Sequence, residues 1–194
     1  MTSSQKKIQF RIMPLVNMQT IHDTMKRRGL SLTDIDARNR LFADTYSAAL
    51  DIKTIQLQGK KLARNFMMRL QQAVGCEAQP YNQTLVEELV TEVGGDLAMF
   101  KEDRPTSFVK EMFQVDQDIA RVMNITMHPS AVVYNYACER DYGVSLEGPL
   151  AIADLPKLCH TDEESYQIFR IDGYLKKRHE SRVAHYPNYL KLVY

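Results

Sequence analysis

One stretch limits what this chain can fold into more than any other. Across residues 31–75, apolar side chains return at helical intervals: Leu32, Ile35, Phe42, Tyr46 and Ala49, then Ile55, Leu62, Phe66, Leu70 and Ala73. Recurrence at three, four and seven residues lines one face of an α-helix. The stretch is either one helix of about forty residues or two helices meeting near Gly59, because an interior glycine costs only ~1 kcal/mol against alanine. Ser31 or Thr33 is expected to cap it, with Asp34 and Asp36 in the first turn where the helix dipole favours acids, and Gly75 to close it.

The remaining pattern is also mainly helical. Residues 17–28 carry Met18, Ile21 and Met25 and stop at Gly29. Thr84-Leu-Val-Glu87 matches a capping box ahead of Leu89, Val90 and Val93, with Gly94-Gly95 as the stop. Phe108, Met112, Val115, Ile119 and Val122 predict an amphipathic helix over 107–123, after a polar loop at 101–106. Pro129 and Gly143 bracket a further expected helix containing Val132, Val133, Tyr136 and Ala137. A second capping box, Thr161-Asp-Glu-Glu164, opens one with Tyr166, Phe169 and Leu175. Ile8, Phe10 and Ile12 alternate with polar residues until Pro14, the signature of a short strand. Its expected partner is the C-terminal segment 189–194 or another copy of the chain. The expectation is a mostly α protein: a single-domain bundle of six or seven helices with one or two short terminal strands. It has a basic part, 1–75, and a second part, 76–194, joined by a linker at 75–83.

Charge is segregated along the chain. The formal net charge is +1, yet residues 1–75 hold 13 cationic against 5 acidic side chains, 76–169 hold 6 against 17, and 170–194 hold 6 against 2. Such asymmetry bears on partners and association. The three cysteines, Cys76, Cys138 and Cys159, are widely spaced, which argues against a disulfide framework and for an intracellular setting. No apolar run approaches the ~20 residues of a membrane span.

Motifs of catalysis are missing from the sequence. It holds no Gly-x-x-x-x-Gly-Lys-Ser/Thr, no Gly-x-Gly-x-x-Gly, no His-Glu-x-x-His and no Cys-x-x-Cys. Neither a metal nor a cofactor is expected. Arg178 and His185 are spaced similarly to the Arg-x(4–6)-His motif of the all-helical HEPN ribonucleases. The resemblance covers eight residues and implies cleavage of an RNA phosphodiester by those two side chains. Nine residues follow His185 and include Pro187, a departure from the closing helix that usually holds the motif.

Two basic surfaces point to a polyanion. In a continuous helix over 53–70, Lys53, Lys60 and Arg64 fall within about 40° of one another with Lys61 beside them, a stripe suited to phosphate contacts. In the tail, Lys176, Lys177, Arg178 and Arg182 are interleaved with Tyr186 and Tyr189, a mixture that holds a backbone and stacks bases. The leading expectation is a non-enzymatic protein acting by association: self-assembly through Ile8, Phe10, Ile12, Tyr186 and Tyr189, binding of RNA or DNA through the basic residues, or both. Two alternatives stand beside it. One is the HEPN-like ribonuclease. The other is an adaptor whose acidic middle, with Met99, Met112, Met123 and Met127, receives a partner helix.

Overall fold

A computed structural model describes residues 10–134, 142–153 and 155, and the backbone of 183–185. Ile8, the helix expected from Thr161, and Lys176, Lys177, Arg178, Arg182, Tyr186 and Tyr189 lie outside the described residues. The chain is mostly α-helical, as expected. Among the described residues are seven α-helices, one π-helical turn and a three-stranded antiparallel sheet. The backbone divides into two compact units, Ile12–Asp118 and Met1–Arg11 with Ile119–Tyr194.

The first unit is built of helices. Helix α1 (Met18–Arg27) opens on a reciprocal capping box: the Asn17 side chain accepts from the Thr20 backbone, and the Thr20 hydroxyl accepts from the Asn17 backbone. Helix α2 (Ile35–Gln58) is capped by Asp34, whose carboxylate accepts from the Ala37 backbone N–H at 2.9 Å. The expected cap at Ser31 or Thr33 is thereby corrected, since a carboxylate at the dipole's positive end outcompetes a hydroxyl further upstream. The 31–75 stretch is two helices. Gly59 separates α2 from α3 (Lys60–Gln71) at φ +144°, a conformation closed to side-chain-bearing residues. A π-helical turn (Gln72–Cys76) extends α3 past the expected stop at Gly75.

Helix α4 (Gln83–Glu92) starts from Asn82, whose side chain accepts from the Leu85 backbone, so the capping role falls two residues before Thr84. Helix α5 (Leu97–Asp103) occupies much of the expected 101–106 loop. It is seven residues long, too short for a periodicity to show, and depends on its Asp96 cap and on burial of Phe100. Helix α6 (Ser107–Val122) matches its expected bounds. The main core gathers Ile55, Ala63, Phe66, Leu70, Leu85, Leu89, Val90 and Phe100, so it joins side chains from both sides of residue 75. Smaller clusters join α1 to α2 through Ile21, Met25, Ala37 and Leu41, and α2 to α6 through Ala49, Leu50, Val109 and Phe113. In the latter, Tyr46 meets Phe113 edge to face at 5.3 Å.

In the second unit the described parts of the helix expected between Pro129 and Gly143 are strands, while Tyr136 and Ala137 lie outside the described residues. Strand β1 (Ser130–Val133) pairs antiparallel with β2 (Tyr142–Glu147), with Val132 opposite Ser145, and β2 pairs with β3 (Val183–His185), with Val144 opposite Val183. Consecutive β-branched Val132 and Val133 lose rotamer freedom in a helix and fit a pleated surface instead. Gly143 lies within β2 and not at a helix end. A Cβ there would stand 2.7 Å from Val132 Cγ1 and 2.8 Å from the Tyr134 ring, so the residue permits close packing. Helix α7 (Pro149–Ile152) follows and packs Ala151 on Val144 and Leu146. The strand expected around Phe10 and Ile12 is not one where it is described: residues 10–13 have no regular structure, and Phe10 is 61% exposed.

Candidate functional site

The expected basic stripe is only partly assembled. Lys60, Lys61 and Arg64 are exposed on α3 while Ala63, Phe66 and Leu70 face the core. Lys53 is not with them. It is 3% exposed, and its Nζ donates to Asp116 Oδ2 at 2.7 Å across the α2–α6 contact. The expectation required one continuous helix through 53–70. The break at Gly59 uncouples the faces of α2 and α3, so the angular alignment of Lys53 with Lys60 is lost. Arg69 is also committed internally, to Glu92 at 2.9 Å and Glu77 at 3.2 Å, and its hydrogen bond to Glu92 leads in holding its guanidinium's pKa above its usual value.

A second set of charges is buried around Asp51. Its carboxylate accepts from Arg104 Nε and from the Tyr81 hydroxyl, while Arg104 also donates to the Ser47 carbonyl at 3.1 Å and its Oγ at 2.9 Å. Burial raises the Asp51 pKa, against the opposing pull of the Arg104 and Tyr81 hydrogen bonds and the Arg104 charge. The Tyr81 phenol is pushed up by burial and then by the adjoining carboxylate. This network ties α2 to the segments before α4 and after α5. Its donors are directed at the Asp51 carboxylate and at the Ser47 carbonyl and hydroxyl, so its chemistry is that of a clamp.

The acidic middle forms a shallow face. Gln83, Thr84, Glu87, Glu88, Thr91, Glu92 and Leu97 line an open depression of about 770 Å³. Two of its three carboxylates are already paired, Glu87 with Lys101 at 2.7 Å and Glu92 with Arg69. The Lys101 hydrogen bond, followed by that of Gln83, holds the Glu87 carboxyl below its usual range. The methionines expected to line an acidic groove do not share one exposure: Met99 is exposed, Met112 and Met127 are half-buried, and Met123 is buried.

The corner between α1 and α2 has a different character. Leu30 (38% exposed), Leu32 (40%), Ile35 (57%) and Phe42 (40%) all stand open to solvent. The sequence pattern had assigned Leu32, Ile35 and Phe42 to the core face. Near its start α2 instead turns Ala37 and Leu41 to the core, and Ile35 and Phe42 lie on the side away from those two; Ala49 and Leu50 carry the core contact further along the helix. Apolar residues on two faces of one helix are the signal that was there to be read. Close by in the chain are Lys26, Arg27 and Arg28, exposed at the end of α1, with half-buried Arg38 and exposed Arg40 on α2. Among the described residues, no ion pair involves any of these five cations.

Among the described residues there is no group of three His, Cys, Asp or Glu side chains able to hold a metal ion, and no helix long and apolar enough to cross a membrane. Cys76 is exposed as a free thiol, and of His185 only the backbone is described, opposite Tyr142 in the sheet.

Comparison with known proteins supplies what no motif did. The curated relatives include the ClpXP adapter protein SpxH of Staphylococcus saprophyticus, 33% identical over 106 residues, which is 55% of this chain and 40% of that protein. The protein of the same name from Staphylococcus aureus is 29% identical over 100 residues, 52% of this chain and 38% of the relative. The aligned stretch spans at most about two-fifths of these relatives' length. A family model described as thioredoxin matches residues 1–153, well over half of the sequence. The chain belongs to this thioredoxin family.

Proposed function

We propose that the chain works as an adaptor, a non-enzymatic protein that binds a protein partner and brings it to a ClpXP-type machine inside the cell. The observation that carries this reading is the 33% identity over 106 residues to a protein named as a ClpXP adapter. The sequence supports it from a second side. Thioredoxin-type dithiol exchange runs on two neighbouring thiols, and these 194 residues contain no Cys-x-x-Cys. An adaptor acts by proximity: joining two proteins on one scaffold turns the second encounter into an intramolecular one, at an effective concentration up to the millimolar range for short linkages. Such a protein needs rigid helices and open surfaces, with no reactive constellation.

RNA or DNA binding and self-assembly have no support from the relatives, and the buried position of Lys53 removes one cation from the stripe that motivated them. The test is co-elution of the purified chain with purified ClpX hexamer on size exclusion in the presence of a slowly hydrolysed ATP analogue. A complex that elutes ahead of either protein is expected. Separate elution at micromolar concentrations of both would overturn the adaptor reading.

A further inference from the structure

We propose that the α1–α2 corner is a docking surface for an acidic amphipathic segment of a partner protein. The inference rests on the adaptor reading and supplies the chemistry of one partner. Ile35 and Phe42 are seven residues apart, so 100° per residue places them within about 20° of each other on α2, about 10 Å apart along its axis. Arg38 lies between them on the same side, three residues from one and four from the other, and is half-buried. Leu30 and Leu32 continue the apolar surface into the turn. Four large apolar side chains this open within thirteen residues leave apolar surface in water, and exposed apolar surface next to polar groups marks interaction sites.

The rim identifies the occupant. Lys26, Arg27, Arg28, Arg38 and Arg40 stand against four acids, Asp23, Asp34, Asp36 and Asp44, and among the described residues none of the four is ion-paired with them. Asp34 caps α2, Asp36 occupies its first turn, and Asp23 accepts from Gln19. A segment with carboxylates flanking aliphatic anchors would satisfy the cations and the patch together. A polyanion would satisfy the cations and leave four apolar side chains in water. The α3 face is the useful contrast, because its Lys60, Lys61 and Arg64 are equally free of ion pairs among the described residues, and Met68 is the sole large apolar side chain exposed on that helix. The acidic face on α4 of a second copy is a poor occupant, since Glu87 and Glu92 already have cations of their own.

The test uses the full chain and a fluorescent helical peptide of roughly twenty residues with Leu at i, i+3, i+4 and i+7 and Glu elsewhere, alongside a counterpart with Lys for Glu. The acidic peptide is expected to bind at least about tenfold more tightly than the basic one. Ile35→Glu with Phe42→Glu, and separately Arg27→Glu with Arg28→Glu, should each weaken it about tenfold or more, whereas Lys60→Glu with Arg64→Glu should change it less than about twofold. All six positions are exposed, so circular dichroism should show wild-type helicity; the arginine pair alters charge alone and keeps the test open if the apolar pair misfolds. Equal binding of the two peptides, wild-type affinity in the corner variants, or an equal loss in the α3 variant would overturn the proposal. So would a wild-type dimer in sedimentation that Ile35→Glu with Phe42→Glu dissolves, because the corner would then belong to a second copy. The ClpX co-elution is read independently. Its failure removes the adaptor reading while the peptide result still decides the surface, and loss of the peptide result with ClpX binding intact removes the surface alone.

Discussion

The α2–α6 contact and the α1–α2 corner both carry cations, and they use them in opposite ways. At the contact, Lys53 is sealed against Asp116, and two residues away along α2 Asp51 is held by Arg104 and Tyr81. At the corner, Lys26, Arg27, Arg28 and Arg38 share a short stretch of chain with exposed Leu30, Leu32, Ile35 and Phe42, and no acid is ion-paired to them among the described residues. Interior charges fix the mutual geometry of helices, and breaking such a pair is costly because it strands a charge out of water. Exposed cations contribute little to stability and remain available for association. The net charge of a segment therefore overstates its capacity to bind. What counts is the charge left after internal pairing, and whether apolar surface lies next to it.

The largest expected effect follows from that distinction. Lys53→Ala takes the cation from a buried carboxylate and should cost about 3–5 kcal/mol in denaturant unfolding, while Lys60→Ala should stay within about 0.5 kcal/mol. Similar losses for the two would dissolve the comparison. Tyr81→Phe comes next. It removes one of two donors from the buried Asp51 carboxylate, an expected loss of about 1–3 kcal/mol, seen as a lower denaturation midpoint with an unchanged slope.

A smaller effect concerns pH. Burial holds the folded Asp51 pKa above the ordinary aspartate value of 3.8, so the folded chain holds this proton more tightly than the unfolded chain does. The contribution is fully present below the unfolded pKa and is lost as pH rises through the folded one. Glu87 runs the other way. Its folded pKa lies below 4.5, so its contribution is present above that value and lost on acidification. Unfolding free energies from pH 3 upward, compared among wild type, Asp51→Asn and Glu87→Gln, should show the two substitutions removing slopes of opposite sign. Slopes of the same sign would contradict the assignment of Asp51 to the interior and Glu87 to the surface. The smallest effect is expected from Arg27→Glu with Arg28→Glu, whose stability should match wild type within about 1 kcal/mol even as binding changes.

Much of the helical framework is legible in the sequence because it is local. Asn17 and Gly29 bracket α1, and the three-to-four-residue recurrence of Phe108, Met112, Val115, Ile119 and Val122 marks α6. The rest depends on residues distant in sequence. Val132 and Val133 sit between Pro129 and Gly143, which read as helix brackets, and only pairing with β2 expresses their β-branched preference. Lys53 reads as a surface residue by type, and only Asp116, sixty-three positions away, allows its burial. The apolar residues of the corner are legible in the sequence, but the pattern assigns Ile35 and Phe42 to the core face, because the core register near the start of α2 is carried by small Ala37 and a single leucine, Leu41. No motif announced the family, because membership is carried by similarity spread over 153 residues.

Amide hydrogen exchange of the full chain, alone and with the acidic amphipathic peptide in excess, tests the central claim most directly. Slower exchange is predicted in peptides covering residues 26–42, with no change across 48–57 and 109–118, where the charges are already paired. Protection at 60–71 or 83–97 in place of the corner, or no protection anywhere, would contradict it.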